Sequence, residues 1–71
     1  MDIRRQVGLN VQKLREKRGW SQEELAFEAA LHRTYISGVE RGVRNPTVAV
    51  LQKIATALDV QPSRLLDMIK S

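Results

Sequence analysis

The chain has 71 residues, no cysteine, 12 Lys and Arg against 8 Asp and Glu, and a net charge of +4. That length allows one small domain, and the composition leaves out disulfide staples, thiolate metal sites and any apolar run near the roughly 20 residues of a membrane span. The N-terminal Met1-Asp2-Ile3-Arg4-Arg5 lacks the apolar stretch of a signal peptide, so a reducing cytoplasm is the expected location.

A domain of this size buries only about 60% of the surface its unfolded chain exposes. A partner subunit is therefore an expected source of extra stability. The basic balance favours a polyanionic partner or simply aids solubility. Its distribution adds something: Arg33, Arg41 and Arg44 cluster in one region, while Glu23, Glu24 and Glu28 lie just before it.

Helical signals run from end to end, and no strand alternation persists. Ile3, Val7, Val11 and Leu14 form the apolar stripe of a first helix, capped by Asp2 and ended at Arg18-Gly19. Gly8 within it costs roughly 1 kcal/mol relative to Ala, which close helix packing would explain. Ser21 and Glu24 form a capping box for a second helix, and Trp20 and Leu25 flank it as a hydrophobic staple. Leu25, Ala26 and Ala29 face inward, and Ala30-Leu31-His32 turns the chain. A third helix runs from about Arg33 to Arg41, with Ile36 and Val39 inward, and Gly42 stops it. Thr47 caps a fourth helix whose stripe is Val48, Leu51, Ile54, Ala55 and Leu58. Pro62 opens a final short helix, to about Ile69, carrying Leu65, Leu66, Met68 and Ile69. The expected fold is an all-α bundle of five helices in a single domain spanning residues 1–71.

Taken with Gln22 as its first position, the span Gln22–Arg41 fits a helix-turn-helix. Leu25, Ala29, Leu31, Ile36 and Val39 fall at the packing points, and Ala26 is the small residue at the helix crossing. The bend usually prefers Gly in a left-handed conformation. Here it is Ala30, at a cost of roughly 1 kcal/mol.

The run Gly19-Trp20-Ser21-Gln22-Glu23-Glu24-Leu25-Ala26, then Tyr35-Ile36-Ser37-Gly38-Val39-Glu40-Arg41-Gly42 and Asn45-Pro46-Thr47, resembles the XRE family across nearly the whole chain. These are small regulators with a lambda-repressor-like DNA-binding domain. Arg33-Thr34-Tyr35-Ile36-Ser37-Gly38 is also similar to the recognition helix of restriction–modification controller proteins.

The resemblance implies double-stranded DNA as partner. Arg33, Thr34 and Ser37 lie on the face of the third helix opposite Ile36 and Val39. Arg33 suits guanine O6 and N7, and the Thr34 methyl suits a thymine methyl. Gly38 is grouped with these base readers because close approach to DNA would repay a mid-helix glycine; close packing on another helix is the rival account. Gln22, at a helix N-terminus, is expected at a phosphate. Arg44 and Asn45 join it, with Arg41 at the rim and His32 near the start of the third helix. Tyr35 either places its hydroxyl on phosphate or is a half-buried core aromatic. The resemblance further implies a partly buried ion pair, Arg15 with Glu40, joining the first and third helices.

One recognition helix reads too few base pairs to be selective, so a homodimer on a two-fold operator is expected. Residues 58–70 are the expected dimerisation region, through Leu58, Val60, Leu65, Leu66, Met68 and Ile69. The alternative for these residues is the closing layer of the monomer core. An antitoxin-like or adaptor module on the same scaffold is the other reading of the whole chain, and the basic, polar face of the third helix argues against it. A lone His without Cys offers no recognisable zinc site. No nucleophile–base pair or phosphate-cradling glycine loop suggests an enzyme, and no cofactor, membrane or small-molecule ligand is expected. Activation of transcription would require a contact with RNA polymerase, and no residue marks one.

Overall fold

The computed structural model describes residues 2–69. Among them are four α-helices and no strand: α1 (Ile3–Lys17), α2 (Gln22–Ala29), α3 (Arg33–Arg41) and α4 (Val48–Ala57). A single 3-10 helix, Pro62–Leu66, follows. The expected fifth α-helix is therefore corrected to one short 3-10 turn. Five residues are too few to repay helix nucleation. The carbonyls at its end also find donors elsewhere. Asn10 Nδ2 donates to Leu65 O (2.9 Å) and Asp67 O (2.8 Å), and Gln6 Nε2 donates to Leu66 O (2.7 Å). With those oxygens held by α1, the chain extends at Asp67 (φ −60°, ψ 143°) instead of winding on.

The helix starts follow local chemistry. Asp2 accepts from Arg4 N–H at 2.7 Å, and Thr47 Oγ1 accepts from Val50 N–H at 3.2 Å. Ser21 and Glu24 complete a reciprocal capping box, at 3.0 and 2.9 Å. The helix ends share one device. Gly19, Ala30, Gly42 and Asp59 each take a positive φ. The next residue in each case donates back five positions: Trp20 to Arg15, Leu31 to Ala26, Val43 to Gly38 and Val60 to Ala55. These bonds satisfy carbonyls that a helix end otherwise leaves without partners. Ala30, at φ 56°, carries the strain expected of a side chain in that conformation.

The core is built from Val7, Val11, Leu25, Ala26, Ile36, Val39, Ile54, Ala55, Leu58 and Leu65. Of the expected stripe residues, Leu14 and Leu51 are half-buried against it, and two are exposed. Val48 is 83% and Ile3 54% exposed, since each sits at the first position of its helix, where the first turn of the stripe overhangs the core. Gly8 lies where α1 crosses α3. A Cβ there would stand 2.6 Å from Glu40 O, and nearer still to Val39 O. Both are backbone atoms, so only glycine permits this approach.

Asn10 is buried at 4% exposure with both its amide bonds made to backbone. Asn10→Ala should lower unfolding free energy by about 1–3 kcal/mol, because two carbonyls lose their donor. Urea denaturation checks this, and an unchanged midpoint would assign the closing segment to apolar packing alone.

Candidate nucleic-acid interface

α2 and α3 pack against each other, and the turn at Ala30 sets the angle between them. Ile36 and Val39 are fully buried, which turns Arg33 and Thr34 outward and leaves Ser37 half-exposed. Those three side chains share one face of α3. Arg41 continues the face, its Nε 3.4 Å from Ser37 O. His32 is the exposed N-cap of α3 and makes no side-chain cap bond. Arg44 and Asn45 are exposed in the loop beyond Gly42. The structure thus gathers Arg33, Thr34, Ser37, Arg41 and Arg44 about one helix.

Beneath this surface lies a buried polar cluster. Arg15 Nε and Nη2 donate to Glu40 Oε2 and Oε1 at 2.7 and 3.0 Å, a bidentate pair across α1 and α3. Arg15 Nη1 donates to Trp20 O at 2.7 Å. The bond to Glu40 raises the Arg15 pKa further above its ordinary value. Gln22 Nε2 donates to Glu40 Oε1 at 3.0 Å, so the cluster joins α1, the α1–α2 turn, α2 and α3. Every buried side-chain nitrogen and oxygen among the described residues has a partner. The first residue of α2 is thereby fixed relative to the outward face of α3. One N–H of the Gln22 amide is thus committed inward, to Glu40.

Two expectations about individual residues change. Gly38 is buried, and the space a side chain would fill is occupied by Arg44, whose Cγ would lie 2.5 Å from an added Cβ. Gly38 is therefore covered by the Arg44 side chain, in place of the open groove-facing position expected of it. Leu58 and Leu65 are 3% and 0% exposed within one copy. They close the monomer core and leave the expected dimer surface. Leu66 and Met68, at 45% and 80%, remain outward, with Val60 and Ile69 half-buried beside them. Lys70, the last residue of the expected dimerisation region, lies outside the described residues.

Sequence reasoning did not find the Gln22–Glu40 bond, the Asn10 amide or the seat of Arg44. It also missed two stacked cations. The Arg18 guanidinium lies 4.5 Å from the Trp20 ring centroid, and that of Arg44 lies 5.7 Å from the Tyr35 centroid. Tyr35 is half-buried, its ring packed on the core. The signal for the seat of Arg44 was the mid-helix glycine at position 38, which calls for a close neighbour.

The model of the family described as "Helix-turn-helix" matches residues 11–65. The chain is 52% identical over 67 residues to the control protein C.BamHI of Bacillus amyloliquefaciens, covering 93% of this chain and 83% of that one. Its structure is similar to that of the restriction–modification controller protein C.AhdI from Aeromonas hydrophila, with a TM-score of 0.85, 45% identity, and coverage of 87% of this chain and 94% of that one. It is also similar to the controller protein C.Esp1396I, crystallised as a tetramer in complex with its natural 35 base-pair operator. That match has a TM-score of 0.83, 37% identity, and coverage of 92% and 86%. The chain belongs to the XRE-type helix-turn-helix family, and restriction–modification controller proteins are among its close homologues.

Proposed function

We propose that the protein is a sequence-specific transcriptional regulator that binds a two-fold operator in double-stranded DNA as a homodimer. The observation that carries this is the outward face of α3, where Arg33, Thr34 and Ser37 stand clear of the core while Ile36 and Val39 fix their orientation. An α-helix with its side chains is about 10–12 Å across. A helix fits within a major groove about 12 Å wide. In this reading Arg33, Thr34 and Ser37 meet base edges. The second amide N–H of Gln22, the α2 N-terminus, His32, Arg41, Arg44, Asn45 and the Tyr35 hydroxyl hold phosphates on either side.

Two copies are required on geometric grounds. One domain measures 28 Å in its longest dimension. Successive major-groove half-sites on one face of B-DNA lie about 34 Å apart. Leu66, Met68, Val60 and Ile69 form the apolar surface proposed for the two-fold contact. Met68→Glu together with Leu66→Glu should leave the fold intact, because both side chains are exposed. The double variant should sediment as a monomer at micromolar concentration where the parent is a dimer. A parent that is already monomeric at that concentration would remove the two-fold docking scheme.

The relationship to C.BamHI and C.AhdI supports a further reading, that the genes controlled are those of a restriction–modification system and the regulator's own. A cytoplasmic site of action follows from that role. Titration of the duplex upstream of its own gene against a shuffled duplex tests the function. Binding should favour the natural duplex and fall steeply with salt, as expected when several phosphates are neutralised. Equal binding to both would show a DNA-binding domain without sequence preference, and no binding at low salt would overturn the proposal.

A further inference from the structure

The loop after α3 folds back onto a single residue. The N–H groups of Val43 and Arg44 both donate to Gly38 O, at 3.0 and 3.2 Å. From there the Arg44 side chain returns along the helix. Its Cγ occupies the position beside Gly38 where a Cβ would stand 2.5 Å away, with Cδ and Nε at 3.5 Å from that point. The guanidinium then lies 5.7 Å from the Tyr35 ring centroid, one helical turn earlier. Residues three apart share a helix face, so Gly38 and Tyr35 form one continuous bed for this side chain.

A glycine inside a helix is unfavourable compared with alanine. At Gly8 the compensation is a backbone approach that no side chain permits. At Gly38 the neighbour is instead the stem of an arginine, an exposed residue that the core does not require. We infer that Gly38 is a positioning residue: its missing side chain seats Arg44 against α3, with the guanidinium over Tyr35 and at the border of the DNA-facing surface. An arginine already held in place loses less side-chain freedom on binding than one that samples solvent. The inference rests on the reading of Arg44 as a DNA contact.

The test uses Gly38→Ala, Arg44→Ala and the double variant, all in the full chain. In the free protein, nuclear magnetic resonance should find the Arg44 methylene protons shifted upfield by the Tyr35 ring. Gly38→Ala should return them to ordinary values while the thermal midpoint stays level or rises. On the operator duplex, Gly38→Ala and Arg44→Ala should each raise Kd roughly tenfold, about 1.4 kcal/mol. The double variant should bind no worse than Arg44→Ala alone.

Four results overturn the inference. An Arg44 resonance unmoved by Gly38→Ala removes the seat. A Gly38→Ala penalty that persists in the Arg44→Ala background shows that the glycine admits the DNA itself. A Gly38→Ala chain that fails to fold makes the glycine a core-packing residue. If Arg44→Ala binds normally although the resonance moves as expected, the seat stands and the DNA contact by Arg44 is what fails, taking the positioning role with it.

Discussion

Glu40→Ala is expected to unfold much of the protein at ordinary temperature. The carboxylate accepts from Arg15 Nε, Arg15 Nη2 and Gln22 Nε2, and it is 4% exposed. Removing it leaves a guanidinium inside the domain with only the Trp20 carbonyl and a 4.0 Å approach to Glu16. Stranding one member of a buried pair typically costs about 3–5 kcal/mol. Domains hold only about 5–15 kcal/mol in total, and one of this length lies towards the lower end. Thermal or urea denaturation of Glu40→Ala reads the loss directly. A partner control separates charge burial from packing. The double variant Arg15→Met, Glu40→Leu should be more stable than Glu40→Ala alone, because no charge is left uncompensated. A loss below about 1 kcal/mol for Glu40→Ala would mean that water reaches Arg15. The upward shift of the Arg15 pKa has its own consequence. The pair's contribution is fully present below the ordinary guanidinium value and fades only as pH rises through the higher folded value. Raising the pH from neutrality to 10 should therefore not release this contact.

Arg33→Ala should leave stability unchanged and relax sequence preference. Arg33 is exposed at the first turn of α3 and forms no ion pair among the described residues. Its guanidinium is thus free to address a base, and a bidentate contact to guanine discriminates by about 1–3 kcal/mol. In a homodimer the loss occurs in both half-sites, so it should approach about 2–6 kcal/mol on the natural operator. Binding to shuffled DNA should change far less. Gln22→Ala should differ in kind, weakening natural and shuffled duplexes alike while leaving the salt slope unchanged, because a neutral amide releases no counterions. It also removes one bond to Glu40, so its binding must be measured where the variant remains folded. If Arg33→Ala keeps the natural-to-shuffled ratio of the parent, base reading belongs elsewhere on α3.

Much of the fold was legible because it rests on short-range chemistry. Asp2, Ser21 with Glu24, and Thr47 announce helix starts through bonds to their own next turn. Gly19 and Gly42 announce helix ends, and Ala30 could be placed as the strained bend because the packing positions around it were already spaced. Asp59 adopts the same left-handed conformation without having drawn attention, since nothing in its neighbours required it. The final segment was misread for a related reason. Pro62 and the leucines after it suit a helix, but whether the chain keeps winding depended on Asn10 and Gln6, more than fifty residues earlier.

Local spacing by itself determined the four α-helices, the helix-turn-helix between Gln22 and Arg41, and the separation of α3 into a core side and a polar side. These follow from periodicity and capping, which act within a few residues. Tertiary structure decided what each of those residues meets. It showed that Leu58 and Leu65 close the monomer core, whereas Leu66 and Met68 remain outside. It tied Gln22 to the Arg15–Glu40 pair and laid Arg44 across Gly38. A glycine looks the same in a sequence whether backbone, side chain or DNA fills the space it leaves. Only the packing of the chain determines which of them does, and here Gly8 faces a backbone and Gly38 faces an arginine.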